Sequence, residues 1–164
     1  MYGVARVVVD TNVLVAAIRS RRGASFQVLS LVGTDALELA VSVPLVLEYE
    51  DAMMRHVTAS SLNESDVRAL LDYICSVAVH QEVFFLWRPF LRDAADDMIV
   101  ELAVAAGCEL IVTHNVRDFR GAERFGLRVV TPALFLQELR GENGCIEPSS
   151  SRISSPQAQR SGGT

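Results

Sequence analysis

The chain has 164 residues, of which 50% are hydrophobic and 21% are charged. This length suits one domain with its own core, and this composition excludes an intrinsically disordered chain. No apolar run reaches the roughly 18 residues of a membrane-spanning helix, and the N-terminal residues lack the basic start and apolar stretch of a signal peptide. We therefore expect a cytoplasmic protein that does not associate with a membrane.

The charges and the cysteines limit the kinds of ligand. The formal net charge of −5 opposes a nucleic-acid binder, although bound cations neutralise the carboxylates of a metal-dependent nuclease. Arg19, Arg21 and Arg22 form a local basic cluster, which is either a rim for RNA or an ordinary solvated loop. The three cysteines are widely spaced and odd in number, so they indicate neither a disulfide framework nor a zinc site.

Strands and helices alternate along the first half of the chain. Val4–Val9 is an apolar, β-branched run typical of a buried parallel strand, and Thr11–Ile18 continues as an apolar-rich helix. Ser42 is a candidate cap for a later helix, and Asn63 or Ser65 is a candidate cap for the next one. The further elements expected are helix Ser25–Leu31, strand Leu37–Val41, a helix from Pro44 and helix Asp66–Ala78.

The second half continues this alternation. Val79–Leu86 is compatible with an extended or a helical structure, and Asp93 precedes a strongly apolar helix. The elements expected after it are helix Ala94–Ala106, strand Leu110–Thr113, strand Val129–Thr131 and helix Pro132–Leu139. From Gly141 onward Ser, Gly and Pro dominate, so we predict one domain over residues 1–140 and a disordered tail over residues 141–164.

This order of elements predicts a three-layer α/β/α fold, in which a central parallel sheet of four to five strands carries helices on both faces. The binding site of such a fold lies beyond the carboxyl ends of the strands. Four acidic residues fall at strand ends or helix starts of this kind: Asp10, Glu48, Asp96 and Asp118. We therefore expect them to cluster.

Oxygen ligands without His or Cys favour Mg²⁺ or Mn²⁺ over zinc. Such ions lower the pKa of a bound water and stabilise the charge that develops when phosphorus is attacked. The chain contains no Ser/His/Asp triad and no phosphate-binding glycine loop. The sequence therefore indicates metal-dependent hydrolysis of a phosphodiester.

Each acid also has a structural interpretation. An Asp that follows a strand often caps the next helix, and acids near a helix start interact well with the helix dipole. Asp93, Asp96 and Asp97 nevertheless lie within five residues, which is more than capping needs. Their mutual repulsion would be relieved by a cation.

Four segments resemble, in order, the motifs of the PIN domain family, especially the VapC-like toxins of bacterial toxin–antitoxin systems. They are Val7–Leu14 with its Asp-Thr-Asn, Ser42–Tyr49, Arg92–Asp97 and Ile111–Phe119. The segment Val129–Pro132 and the pair Phe135–Leu136 also look like the end of the family's domain. The resemblance covers about residues 4–140.

The resemblance implies a Mg²⁺- or Mn²⁺-dependent endoribonuclease that prefers single-stranded RNA and leaves 5′-phosphate and 3′-hydroxyl ends. It also implies a toxin that is neutralised by a small cognate antitoxin and that pairs as a homodimer. In this setting the core metal ligands would be Asp10, Glu48 and Asp96. The residues that would orient ligands or water are Asn12, Thr113 and Asn115.

The fourth acid is less defined by the resemblance. Some relatives carry Asp at the place of Asn115, whereas others carry Asn there and an Asp three residues later. This chain has the second pattern, so we predict that Asp118 completes the site. Asp93 and Asp97 are alternative ligands, for which capping or exposure is the favoured interpretation.

Two other functions fit part of the pattern. A haloacid-dehalogenase-type phosphatase also begins with an apolar strand and an Asp nucleophile. It needs a second Asp where this chain has Asn12, and a lysine, which this chain lacks entirely. A PIN-like scaffold that binds RNA or protein without cutting is compatible with Asn115 and the acidic net charge.

Overall fold

The computed structural model describes residues 4–84 and 91–142, except for the side chain of Glu142. These residues contain one parallel sheet. Its strands are β1 (Ala5–Val9), β2 (Leu37–Val41), β3 (Val79–His80), β4 (Leu110–Val112) and β5 (Arg128–Val130). They lie in the order β3-β2-β1-β4-β5. The predicted α/β fold with a central parallel sheet of four to five strands is confirmed.

In the described part of the chain, six α-helices connect and follow the strands. They are α1 (Thr11–Arg19), α2 (Ala24–Ser30), α3 (Val43–His56), α4 (Glu64–Val77), α5 (Ala94–Ala105) and α6 (Pro132–Glu142). Three single-turn 3₁₀ helices lie at Val57–Ala59, Val116–Phe119 and Ala122–Phe125. In the described ranges, no helix is long and apolar enough to cross a membrane.

The topology puts helices on both faces of the sheet. The chain moves from β1 through β2 to β3 in one direction and then returns to β4 on the other side of β1. Because crossovers between parallel strands are right-handed, α1 to α4 cover one face and α5 covers the opposite face. The packing agrees, since α1 contacts α2 and α3, α3 contacts α4, and α5 contacts β1, β2 and β4.

Burial on both faces explains why β1 is an unbroken apolar run. Val7, Val8 and Val9 are all buried, as parallel strands between two helical layers require. The helix α5 is buried from Asp97 to Ala103, because it lies directly on the central strands. The core of the protein therefore surrounds β1, β2 and β4, and the polar residues at their carboxyl ends stand on a rigid support.

Helix starts show where the capping predictions succeed and fail. Asn63 caps α4 by accepting a hydrogen bond from the Asp66 backbone N–H, and Asp66 returns one to the Asn63 backbone. This capping box starts α4 at Glu64, two residues earlier than predicted. Ser42 occupies the cap position of α3, but its side chain makes no cap bond. Pro44, the second helical residue, has no N–H to donate to it.

Other boundaries differ by a few residues. The segment Val79–Leu86 was compatible with an extended or a helical structure. Its first two residues, Val79 and His80, are extended and pair with β2. Its last two residues, 85 and 86, lie outside the described residues. Helix α6 continues three residues beyond Leu139, with Gly141 inside it. The remainder of the predicted tail, residues 143–164, lies outside the described part of the chain.

Two glycines with positive φ allow a stability prediction. A Cβ on Gly33, which has φ +83°, would collide with the phenol of Tyr73, whose hydroxyl donates to the Val32 carbonyl at 2.9 Å. A Cβ on Gly107, with φ +65°, would meet no atom within 4 Å. We expect Gly107→Ala to lower the free energy of unfolding by about 1 to 2 kcal/mol through backbone strain alone. Gly33→Ala should lower it by about 2 to 4 kcal/mol, because Tyr73 must also give up its hydrogen bond. Urea titration of both variants measures the difference, and equal losses would contradict the role assigned to Tyr73.

Candidate functional site

A topological switch point lies between β1 and β4. The chain leaves these neighbouring strands toward opposite edges of the sheet, which opens a crevice at their carboxyl ends. Asp10 directly follows β1, and its backbone N–H donates to the Val112 carbonyl at 2.9 Å. Thr113 directly follows β4 and continues the ladder toward β5 by donating to Val130 at 3.0 Å. The first predicted acid therefore lies where an α/β fold places its ligands.

Hydrogen bonds hold the carboxylate of Asp10 in place. Its Oδ2 accepts a bond from the Thr113 hydroxyl at 2.6 Å and another from the Asn12 side-chain amide at 2.7 Å. Asp10 is only 7% exposed, and Thr113 is fully buried. The structure thus places Asn12 and Thr113, two of the residues predicted to support the site, in direct contact with the predicted ligand Asp10.

The segment after β4 is tied to the same group. The backbone N–H of Asn115 donates to the Thr113 hydroxyl oxygen at 3.0 Å, and the backbone N–H of His114 donates to the Asn12 side chain at 3.2 Å. The Asp118 backbone N–H then donates to the Asn115 carbonyl at 3.0 Å, which forms the following 3₁₀ turn. Asn115 is therefore linked to the Asp10 cluster through its backbone, and Asp118 follows one turn later.

Helix α3 brings Glu48 to the end of β1. Thr11 donates its hydroxyl hydrogen to Glu48 Oε1 at 2.8 Å, and the hydroxyl of the buried Tyr49 donates to the Val9 carbonyl. Burial, and then the charges of Asp10 and Glu48, raise the pKa of Tyr49 well above its ordinary value, so this residue stays protonated as a donor. The sequence analysis assigned no role to Thr11, although its place inside Asp-Thr-Asn was the available signal.

Electrostatics connect the four predicted acids. The pKa of Asp96 is raised from 3.8 to about 6, first by burial and then by the charges of Asp10, Asp93, Asp118 and Glu48. A carboxyl group whose pKa is raised by four other carboxylates must lie within electrostatic range of all of them. The structure therefore gathers the predicted acids on one side of the sheet. No three Asp, Glu, His or Cys side chains within residues 4–84 and 91–142 converge closely enough to share one metal ion.

Ionisation of the Asp10 carboxyl group is also unfavourable in the folded chain. Burial raises its pKa above 3.8, the Thr113 hydrogen bond opposes this shift, and the charge of Glu48 adds to it. Asp10 and Asp96 both have raised pKa values, and no side chain of the described residues forms an ion pair with Asp10. A bound cation lowers the free energy of such a site. All of its candidate donors are oxygen atoms, which suits hard divalent ions.

The neighbouring acids have separate structural roles. Asp93 is exposed and caps α5, since its Oδ1 accepts a bond from the Ala95 backbone N–H at 3.0 Å. The capping interpretation of Asp93 is therefore confirmed. Asp97 is 3% exposed and accepts a 2.6 Å bond from the Leu91 backbone N–H. The prediction of capping or exposure was wrong for Asp97, because this buried residue binds the Leu91 backbone while Asp93 caps the helix.

A cleft of about 610 Å³ opens beside Asp96. It is lined by Leu91 and by three acids and three arginines: Asp93, Asp96, Asp118, Arg92, Arg117 and Arg120. The sequence analysis did not identify these arginines, because they come from two loops that only the fold brings together.

The predicted basic cluster lies elsewhere. Arg19 is the last residue of α1, whose first residue follows Asp10. Nine helical residues span about 13 Å, so Arg19 is far from the acids, and Arg21 and Arg22 lie still further along the chain. Arg21 instead lines an apolar groove of about 420 Å³ on α1, α2 and α4. The solvated-loop interpretation therefore fits this cluster better than a rim beside the acids.

The chain is similar to known proteins in its sequence and in its structure. A family model described as PIN domain matches residues 6–117, which include Asp10, Glu48 and Asp96. No protein of curated function matches the chain. Among solved structures, the chain is similar to the crystal structure of VapBC2 from Rickettsia felis bound to a DNA fragment from their promoter. That match has 18% sequence identity and a TM-score of 0.49, and it covers 77% of this chain and 98% of the other.

The raised pKa of Asp96 predicts a pH-dependent gain in stability on substitution. Its pKa of about 6 lies above the ordinary 3.8, so ionisation destabilises the folded state. This penalty is absent well below pH 3.8, grows between pH 3.8 and 6, and is complete above pH 6. Asp96→Asn should therefore stabilise the metal-free protein at pH 7.5, by no more than about 1 kcal/mol after solvent screening.

Thermal unfolding in EDTA checks this expectation, and the gain should shrink when the pH is lowered to 4.5. Asp72→Asn, on the exposed side of α4, is the matched control and should leave the unfolding temperature unchanged. A destabilised Asp96→Asn variant at pH 7.5 would contradict the electrostatic description.

Proposed function

The chain belongs to the PIN domain family, and we propose that it is a Mg²⁺- or Mn²⁺-dependent endoribonuclease. The observation that carries the proposal is the grouping of acids beyond the carboxyl ends of β1 and β4, where Thr113 and Asn12 hold the buried carboxylate of Asp10. Burial, and then the charges of Asp10, Asp93, Asp118 and Glu48, raise the pKa of Asp96 to about 6. Such a concentration of acids at the switch point of the sheet destabilises the fold and is typical of a functional site. Phosphodiester hydrolysis is the reaction that a divalent ion on these residues would support.

In this proposal Asp10, Glu48, Asp96 and Asp118 would hold the metal, some of them through bridging waters, because no three of these carboxylates converge on one point in the described residues. When bound, Mg²⁺ or Mn²⁺ supplies an acidified water and stabilises charge on the phosphate oxygens. The chain's own residues orient the ligands. Thr113 and Asn12 fix one oxygen of Asp10, and Thr11 fixes one oxygen of Glu48. Hydrogen bonds of this kind set the direction of a metal-binding carboxylate.

We propose that Asp118, rather than Asn115, is the fourth acid. Two observations support this choice. Asp118 lines the cleft together with Asp96, and its charge contributes to the raised pKa of Asp96. Asn115, by contrast, contacts the cluster through its backbone N–H to Thr113. In this view Asn115 orders the segment that carries Asp118.

The biological setting that we propose is a cytoplasmic toxin–antitoxin pair, in which a small antitoxin neutralises a homodimeric toxin. The family resemblance of the four motifs motivates this setting. Light scattering of the full chain measures the oligomeric state. A short reading frame upstream, whose product copurifies with this chain, would identify the antitoxin.

Substitution of the proposed ligands tests the enzyme. Asp10→Asn and Asp96→Asn should each lower the rate of RNA cleavage with Mg²⁺ at least about 100-fold, because each removes a charged ligand. EDTA should abolish wild-type cleavage, and Mn²⁺ should restore it. Asp72→Asn keeps the same charge change away from the site and should cleave at the wild-type rate. Unchanged cleavage in Asp10→Asn or Asp96→Asn would refute the mechanism.

The alternative function is a PIN scaffold that binds RNA or protein without cutting. The acidic net charge of −5 is compatible with this alternative. Calorimetric titration of the wild-type chain with Mn²⁺ separates the two. An enzyme must bind the ion, and the binding must weaken in Asp96→Asn. A chain that neither binds Mn²⁺ nor cleaves RNA would be a scaffold.

A graded comparison tests the fourth position. Asp118→Asn should lower cleavage by about 10- to 100-fold, because it removes one charge from the site but keeps the shape of the side chain. Asn115→Ala should lower it less, since its backbone bond to Thr113 is retained. Cleavage rates at saturating Mg²⁺ give the order of the two effects. A larger loss in Asn115→Ala would assign the fourth position to Asn115.

A further inference from the structure

Two segments that are distant in sequence form the walls of the acidic cleft. Arg92 lies just before α5 and belongs to the first wall. Arg117 lies in the 3₁₀ turn after β4, and Arg120 directly follows that turn; both belong to the second wall. Each wall carries at least one guanidinium group and at least one of the carboxylates Asp96 and Asp118. Positive charge is therefore present on both sides of the proposed metal ligands.

In the described part of the chain, the absence of an ion pair is common to the three cleft arginines and to Arg19, Arg21, Arg22, Arg124 and Arg140. Four arginines elsewhere form ion pairs, namely Arg6 with Glu38, Arg55 with Asp51, Arg68 with Glu64 and Arg128 with Glu138. Over residues 4–84 and 91–142, none of the three cleft arginines makes such a pair, although carboxylates line the same cleft. Their side chains are exposed. The guanidinium groups are thus available to an incoming anion.

We propose that Arg92, Arg117 and Arg120 bind the backbone phosphates that flank the scissile phosphate of single-stranded RNA. The inference rests on the proposed nuclease function and names the residues that provide affinity for its substrate. An RNA strand that approaches Asp96 is repelled by the carboxylates and by a net charge of −5. Arginine can offset this repulsion with two parallel hydrogen bonds to one phosphate. The three are positioning residues, whereas the acids hold the metal.

The position of the other exposed basic cluster makes this assignment specific. Arg19, Arg21 and Arg22 lie at and beyond the far end of α1, about 13 Å from Asp10. They do not line the cleft. Arg22 is exposed like the cleft arginines, so Arg22→Ala removes the same charge from a different surface. It is the matched control for an effect of net charge alone.

Salt dependence of RNA binding is the test. The probe is a fluorescent, unstructured 12-nucleotide RNA in EDTA, which prevents metal-dependent cleavage, and the affinity is measured between about 0.05 and 0.3 M KCl. Each contact between an arginine and a single-strand phosphate adds about −0.7 to the slope of log K against log salt. Three contacts predict a wild-type slope near −2. Arg117→Ala and Arg120→Ala should each reduce it by about 0.7 and weaken binding about fivefold at 0.1 M salt.

Arg22→Ala should leave the slope unchanged, and Arg117→Lys should largely retain it because the charge remains. Variant slopes equal to the wild-type slope, or an equal reduction in Arg22→Ala, would overturn the proposal. A wild-type chain that does not bind the RNA would also overturn it. Since the three side chains are exposed, thermal unfolding should be unaltered, which separates lost binding from lost folding.

Steady-state cleavage with Mg²⁺ distinguishes a failure of this inference from a failure of the proposed function. If the arginines bind flanking phosphates, Arg117→Ala and Arg120→Ala should raise KM about fivefold and leave kcat within about twofold, because they act on ground-state binding. Wild-type cleavage with unaltered KM in both variants would refute the arginine assignment and leave the nuclease intact. Absence of wild-type cleavage, with the salt slopes as predicted, would refute the nuclease and leave an RNA-binding cleft.

Discussion

The hydrogen bond from the Thr113 hydroxyl to the carboxylate of Asp10 is the interaction on which the rest of the site depends. It joins the ends of two neighbouring strands that belong to different halves of the chain, and it lies at the switch point where these halves separate to make a crevice. Asn12 and the backbone of Asn115 converge on the same two side chains. Because the group is buried, loss of the Thr113 hydroxyl would raise the pKa of Asp10 further and release the segment that carries Asp118.

The cluster of acids works against the stability of the fold around it. Burial and mutual repulsion raise the pKa values of Asp10 and Asp96, so the folded chain carries a free-energy penalty at neutral pH. The sheet tolerates this penalty because its central strands are covered by helices on both faces and contribute a large buried apolar area. A divalent cation would remove the penalty, so the same repulsion that destabilises the metal-free chain becomes a source of metal affinity.

Much of the fold was predictable because its signals are local. The β-branched run of β1 and the apolar stretch of α5 are each continuous in the sequence, and the alternation of strands with helices restricts the topology to a parallel sheet. The strand β3 was ambiguous because it has two residues and exists only through its pairing with β2. The side chain of Ser42 makes no capping hydrogen bond, because Pro44 lacks one of the backbone N–H groups that a cap would bind.

The acids of the site were predictable from topology, because the carboxyl ends of parallel strands always share one edge. The arginines were not, because exposed loop residues follow no periodicity and Arg92 lies 25 positions before Arg117. Proximity in sequence pointed instead to Arg19, Arg21 and Arg22, which helix α1 carries away from Asp10. Net charge was misleading in the same way. A chain with a charge of −5 can still present guanidinium groups to an anion, because Arg92, Arg117 and Arg120 are exposed and line one cleft. The local arrangement of charge, rather than its sum, therefore decides what this surface attracts.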